Sequence, residues 1–235
     1  MNANSNVSPD PTKQREFAYT TPRPDIFALV PSIALSVLDV GCSNGALGAS
    51  LKAAQNSRSV WGIEYDRQLS NEAVSRLDRV ILGDLNQFDW DVELGTTQFD
   101  CIIFADVLEH LVNPALCLSQ ACSHLYPGGS VIVSLPNIRH LSSLHAIFID
   151  GHFPRRDRGI FDRTHLRWFT IEDGRQLLLN SGLQIIEENL ALRWGDIGGG
   201  RLNRALNRLP KRVQNFTPIR ELLTYQTCFR AELPK

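Results

Sequence analysis

The chain has no surplus of charge: 24 Lys and Arg stand against 25 Asp and Glu, a formal net charge of −1. That excludes the strongly basic class of nucleic-acid binders, and no basic groove interleaved with aromatics takes its place. With 43% apolar residues it is not a disordered chain either. Five cysteines (Cys42, Cys101, Cys117, Cys122 and Cys228) include no C-x-x-C pair and fall mostly in apolar runs, the pattern of buried, reduced thiols. A reducing, cytoplasmic compartment is the expectation. Met1 to Gln14 is polar and holds no apolar signal core, and no later run is apolar enough to span a bilayer. A soluble protein with a frayed head follows. There is no internal repeat and no low-complexity tract.

What is present fits one domain, since 235 residues are too few for two of full size. Strand-like runs recur at Ser36 to Val40, Ser59 to Glu64, Arg79 to Leu82, Phe99 to Ala105 and Ser130 to Leu135. Between them Ala46 to Ala54, Arg67 to Leu77 and Pro114 to Leu125 carry apolar residues at helical steps. Alternating β and α units with near-continuous apolar strands predict a doubly wound, mostly parallel α/β sheet covered on both faces. Helix-like Ile171 to Asn180 and strand-like Leu183 to Glu188 resume the rhythm, and Thr224 to Glu232 closes it. The expected organisation is an N-terminal arm over 1–24 and a single domain over 25–235, with insertions at 136–170 and 193–223.

The stretch Val37-Leu38-Asp39-Val40-Gly41-Cys42-Ser43-Asn44-Gly45-Ala46-Leu47-Gly48 reads as a strand that breaks into a glycine turn and then a helix. Gly41 and Gly45 permit close approaches that a Cβ forbids, and the helix start offers N–H groups to an electron-rich ligand. Asp39 puts a carboxylate at the strand end. It would repel the pyrophosphate of a dinucleotide and attract a sulfonium cofactor bearing an ammonium group. Three further carboxylates close later strands. Glu64 is placed to accept from both hydroxyls of a ribose. Asp84, after Gly83, stands where an adenine amino group could be read. Asp106 leads into Val107-Leu108-Glu109-His110, and Tyr126-Pro127-Gly128-Gly129 makes a tight turn into the fifth strand.

Together these stretches resemble the class I S-adenosylmethionine-dependent methyltransferases (EC 2.1.1.-) over about Asp25 to Glu188. Gly159-Ile160-Phe161-Asp162-Arg163-Thr164-His165-Leu166-Arg167-Trp168-Phe169-Thr170, preceded by Leu135-Pro136-Asn137, is similar to the ubiquinone-biosynthesis O-methyltransferases and the methionine-biosynthesis W-type proteins. Several such proteins belong to polysaccharide or glycolipid pathways. The resemblance implies a Rossmann-like seven-stranded sheet whose last strand runs antiparallel, and S-adenosylmethionine as cofactor with S-adenosylhomocysteine (SAH) as its product. It also implies a cofactor site: the amino-acid end over Asp39, Gly41 and Gly45, the ribose at Glu64, the adenine at Asp84 and Leu85, with Asp106 at the end of the fourth strand. Ser43 departs from the pattern, because many members carry glycine there, and its hydroxyl either assists or is tolerated. Tyr19 to Pro24 looks like the family's pre-sheet segment, in which Arg23 pairs with the cofactor's carboxylate.

Methyl transfer from a sulfonium is an in-line displacement, so the enzyme must align the acceptor and, for a hydroxyl, remove a proton. His165 is the expected base, kept neutral by Arg163 and Arg167; the plainer alternative is a structural histidine. Asp106, Glu109 and His110 share one face if a helix begins there. Such a face could bind a divalent metal, yet a base or orienting role for His110 is favoured and no metal is expected. His140 and His145 make a poor zinc pair. Arg155, Arg156, Arg158, Arg163 and Arg167 gather in the first insertion. In the second, Leu202, Leu206, Leu209 and Val213 recur at helical steps among Arg201, Arg204, Arg208, Lys211 and Arg212. This reads as a basic amphipathic helix after the hinge Gly198-Gly199-Gly200. An ordinary solvated face is the commoner outcome. The sharper reading is a lid over a phosphorylated or lipid-linked acceptor, or peripheral contact of 201–213 with an anionic membrane. The expected activity is O-methylation of a small-molecule or carbohydrate/glycolipid-type acceptor. N-methylation and a non-catalytic cofactor-binding partner protein remain alternatives, while Asp39 and Asp84 disfavour a nicotinamide oxidoreductase. The sequence leaves the oligomeric state open.

Overall fold

A computed structural model describes residues 22–196 and 200–234. The segment before residue 22, including Tyr19 to Thr21, and Gly198-Gly199 of the expected hinge lie outside the described residues. Seven strands form one sheet: β1 (Ser36–Val40), β2 (Ser59–Glu64), β3 (Arg79–Leu82), β4 (Phe99–Ala105), β5 (Leu125–Pro136), β6 (Gln184–Leu192) and β7 (Thr224–Glu232). Their order is β3-β2-β1-β4-β5-β7-β6. Only β7 runs antiparallel to its neighbours, and it does so to both β5 and β6. The doubly wound sheet with a reversed last strand is as expected.

The central strands are buried on both faces, which their unbroken apolar runs require. In β4, Ile102 and Phe104 pack with Leu38, Val131 and Val133 on one face, while Cys101 and Ile103 meet Val37 and Ile132 on the other. Each such side chain stabilises the fold by roughly 1.5–3 kcal/mol through burial. All five cysteines are buried and free. No helix among the described residues is long and apolar enough to cross a membrane.

Local signals set the element boundaries. Asn113 accepts from the Leu116 N–H at 3.1 Å and opens the helix Pro114–Cys122. Thr170 and Asp173 form a reciprocal capping box on the helix Ile171–Asn180. Two expectations are corrected. β5 begins at Leu125 rather than after the turn: its register jumps from Phe99–Leu125 to Cys101–Ser130, so residues 126–129 loop out within the strand, with Gly128 at φ +78°. The basic segment 201–213 is not one helix but two, Gly200–Asn207 and Lys211–Gln214. Pro210 breaks it, because proline has no N–H to donate and its ring clashes with the carbonyl four residues back.

Candidate functional site

A cleft of about 1330 Å³ runs along the carboxyl ends of the parallel strands. Single-ligand pockets span roughly 300–1,000 Å³, so this one has room for a cofactor and an acceptor together. A shallower depression of about 350 Å³, where the helix Gly200–Asn207 crosses the end of β6, shares only Arg193 with this cleft.

The cleft's donor end is built by the loop after β1. Gly41, Ser43 and Gly45 all adopt left-handed backbone, at φ +71°, +52° and +80°. A Cβ on Gly41 would stand 2.6 Å from Val107 Cγ2, so only glycine fits. Ser43 takes the conformation that glycine adopts without strain, and its N–H donates to Glu64 Oε2 at 2.7 Å. Glu64 Oε1 accepts from the Asp66 N–H at 2.8 Å. A carboxylate offers about four acceptor sites, so both oxygens keep capacity for a ribose. Burial pushes the Glu64 carboxyl above its ordinary value, while these N–H groups favour its charge.

Asp39 decides what this end can hold. It is 2% exposed and its Oδ2 has no hydrogen-bond partner. Burial and the neighbouring Glu64 push its carboxyl up to about 7, with Arg23 opposing them. An orphaned buried carboxylate at the floor of a cleft fits a ligand that brings a cation, and fits a pyrophosphate badly. Asp84 and Leu85 line the same cleft beyond β3. Asp84 Oδ1 accepts from the backbone and side-chain amides of Asn86 at 2.9 and 3.1 Å.

Arg23 also lines the cleft. Its guanidinium pairs with Asp106 at 2.5 Å and with Asp25 at 2.8 Å. Burial works against its charge, but these two carboxylates outweigh that and hold its pKa above the ordinary value. Asp106 sits at φ +58° just after β4, gripped by the Ser134 hydroxyl at 2.6 Å and by the Gln226 amide.

The expected common face of Asp106, Glu109 and His110 does not form. Leu108–His110 is a 3₁₀ turn, and Asp106 lies outside it with its carboxylate committed elsewhere. The insertion supplies a different neighbour. The Leu166 and Arg167 N–H groups donate to the Glu109 carbonyl at 2.9 and 3.0 Å, and this tie sets His165 edge-on to His110 with ring centroids 4.7 Å apart. Glu109, His110 and His165 therefore bring three ligand-type atoms within 4.8 Å of one another, which is where a divalent cation could be held.

His165 is 8% exposed. Its Nδ1 lies 3.1 Å from the Ile160 carbonyl, so it donates there and leaves the Nε2 lone pair free to accept a proton. Burial and the neighbouring His110 lower its pKa, so it is neutral at pH 7. The direction matches expectation but the cause does not: Arg163 pairs with Asp157 and Arg167 binds the Val112 carbonyl. Glu109 is 1% exposed with Oε2 unpartnered, and burial, then Asp106, raise its carboxyl well above the usual range. Its Oε1 stands 3.9 Å from His165 Nε2, beyond hydrogen-bond range.

The family model described as a methyltransferase domain matches residues 9–188. The chain belongs to the methyltransferase-domain family. S-adenosylmethionine is the cofactor of this class, as the loop after β1 led one to expect. The chain is 33% identical over 116 residues to the ubiquinone biosynthesis O-methyltransferase of Pseudomonas paraeruginosa, covering 48% of this chain and 49% of that one. It spans about half or less of the curated relatives it matches. Two solved structures share its fold. The SAM-dependent methyltransferase of Thermotoga maritima is 16% identical with a TM-score of 0.60, over 93% of this chain and 90% of that one. The magnesium protoporphyrin IX methyltransferase of Synechocystis PCC 6803, solved with bound SAH, is 17% identical with a TM-score of 0.58, over 94% and 82%.

Every residue expected at the site except Gly45 lines this one cleft, and Gly45 shapes its loop. Ser134, Gln226, Tyr225 and Arg193 were not anticipated. A fully buried serine in the apolar run of β5 was a signal for the first of these.

Proposed function

We propose that this methyltransferase transfers a methyl group from S-adenosylmethionine to a hydroxyl of a small-molecule or carbohydrate-like acceptor. The cofactor supplies an electrophilic methyl on a sulfonium; the chain's own residues do the rest. Asp39 would neutralise the cofactor's ammonium group, and Glu64 would accept from its ribose. Asp84 and Leu85 would flank its adenine. Asp106 and Arg23 form the wall beside its amino-acid end.

The observation that carries the O-methyl reading is His165, neutral, oriented through Nδ1 and open at Nε2. It would take the acceptor's proton as the hydroxyl attacks. Glu109, its carboxyl raised by burial beside His165, would face the charge that forms on the imidazole and so acts as a positioning residue. Of the groups that N-methylation would need, Asp106 is committed to Arg23 and Glu109 is raised well above the usual carboxylate range by burial. Residues 136–170 and 193–223 would close the acceptor side as a lid. The basic face of Arg201, Arg204 and Arg208, with Leu202 exposed among them, would suit an anionic membrane surface. A reducing, cytoplasmic compartment suits the five buried thiols.

The test incubates the protein and a His165→Ala variant with labelled cofactor and an extract of cell-envelope precursors. Transfer by the wild type and its loss in the variant is the expected result. Equal transfer by both removes His165 as the base. Transfer by neither favours a cofactor-binding partner protein.

A further inference from the structure

Beyond β4 the character of the cleft changes sign. The donor end, at β1 to β3, is lined by Asp39, Glu64 and Asp84; the far end, where β7 begins and β6 finishes, is lined by Arg156, Arg158 and Arg193. Arg156 is neutralised by Asp196, and the nearby Asp157 is taken by Arg163 at 2.7 Å. Neither Arg158 nor Arg193 has a carboxylate partner among the described residues. Asp162, the third carboxylate here, is held by the Thr164 hydroxyl and N–H at 2.6 and 2.9 Å, so this end of the cleft sets two guanidiniums without a carboxylate partner against one carboxylate.

Arg193 is held in place at both backbone and side chain. Its N–H donates to the Leu223 carbonyl at 2.8 Å, and its own carbonyl accepts from Nε2 of the fully buried His140 at 3.0 Å. Its guanidinium stacks on the Tyr225 ring, 4.2 Å from the centroid. Arg193 and Arg158 act electrostatically on the Tyr225 hydroxyl, against Asp196. The neighbouring Gly159, at φ +77°, leaves the hydroxyl its space, since a Cβ there would stand 2.4 Å from it.

Gly159 and Ile160 join this corner to the proposed base, because Gly159 abuts the Tyr225 hydroxyl and the Ile160 carbonyl accepts from His165 Nδ1. A phosphate monoester carries about −1.5 to −2 charge at pH 7 and three acceptor oxygens, enough to pair with both guanidiniums at once.

We propose that the methyl acceptor is a phosphate monoester, its phosphoryl group bound between Arg158 and Arg193. This rests on the reading of the cleft as a methyltransferase site. Two sources share the chemistry, a soluble hydroxy-phosphate and the phosphate headgroup of a lipid.

The experiment titrates the full chain, loaded with SAH, with glycerol 3-phosphate, with vesicles containing phosphatidic acid, and with acetate. At least one phosphate probe should bind, and whichever binds more tightly identifies the source. Acetate should bind about tenfold more weakly or worse, and Arg158→Ala and Arg193→Gln should each cost about tenfold in phosphate affinity. Unchanged SAH affinity in both variants shows that they are folded. Failure of both phosphate probes, acetate binding as tight as phosphate, or unaltered binding by both variants would overturn the proposal. Failure of the wild type to bind SAH would instead remove the methyl-donor reading, and the phosphate titrations on the unloaded chain would still decide the subsite.

Discussion

Replacing Asp39 by asparagine keeps the side chain's shape and removes its charge. In the unfolded chain this carboxyl ionises near its ordinary 3.8, but in the folded protein only near 7. Between those values the folded state holds a proton that the unfolded state releases, so stability falls as pH rises through the window and the full penalty persists above it. A gap of about three units at 1.36 kcal/mol each gives a penalty of up to about 4 kcal/mol above pH 7. The asparagine variant escapes it. Without cofactor, its urea midpoint should exceed that of the wild type, and the stability difference should widen by about 2 kcal/mol between pH 5.5 and 8. The same variant should lose affinity for S-adenosylmethionine, because the charge that opposes its ammonium is gone. Wild-type affinity should itself climb about tenfold from pH 6 to pH 8 as Asp39 ionises. A pH-independent stability difference, or a variant that binds the cofactor as tightly as wild type, would refute the reasoning.

Gly41→Ala must place a Cβ 2.6 Å from Val107 at a left-handed φ, so thermal unfolding should drop by the equivalent of about 1–2 kcal/mol or more, with weaker cofactor binding; an unchanged melting curve contradicts this. His165→Ala should cost about 10²–10⁴-fold in kcat with SAH affinity intact. Because burial lowers the His165 pKa, the acid limb of the wild-type kcat/KM profile should lie below pH 6.5, and a limb above that value argues for another base. Arg58, buried and donating to the carbonyls of Ala34, Leu51 and Pro31, ties down the loop that precedes β1. Arg58→Ala should lower the unfolding free energy by about 3 kcal/mol or more in urea melts, and a change within error would show those bonds to be replaceable.

The sheet was legible because each strand is a contiguous apolar run, and because glycines and carboxylates punctuate the strand ends. Ser36 to Val40 and Phe99 to Ala105 begin and end where their composition says they should. The donor end was legible for the same reason: Asp39, Gly41 and Gly45 lie within one turn of chain. The acceptor end was not. Glu109 and His165 meet only through two hydrogen bonds across a long separation, and the Tyr225–Arg193 stack requires β6 and β7 to pair first. The helical periodicity of Leu202 to Val213 misled because it continues across Pro210, where the backbone cannot.

The central claim is that the loop from Asp39 to Gly48 holds the methyl donor. Calorimetric titration with S-adenosylmethionine, set beside a nicotinamide dinucleotide, tests it most directly. One S-adenosylmethionine bound per chain, with no dinucleotide binding, is the predicted result. A chain that ignores S-adenosylmethionine, or that prefers the dinucleotide, would contradict the account.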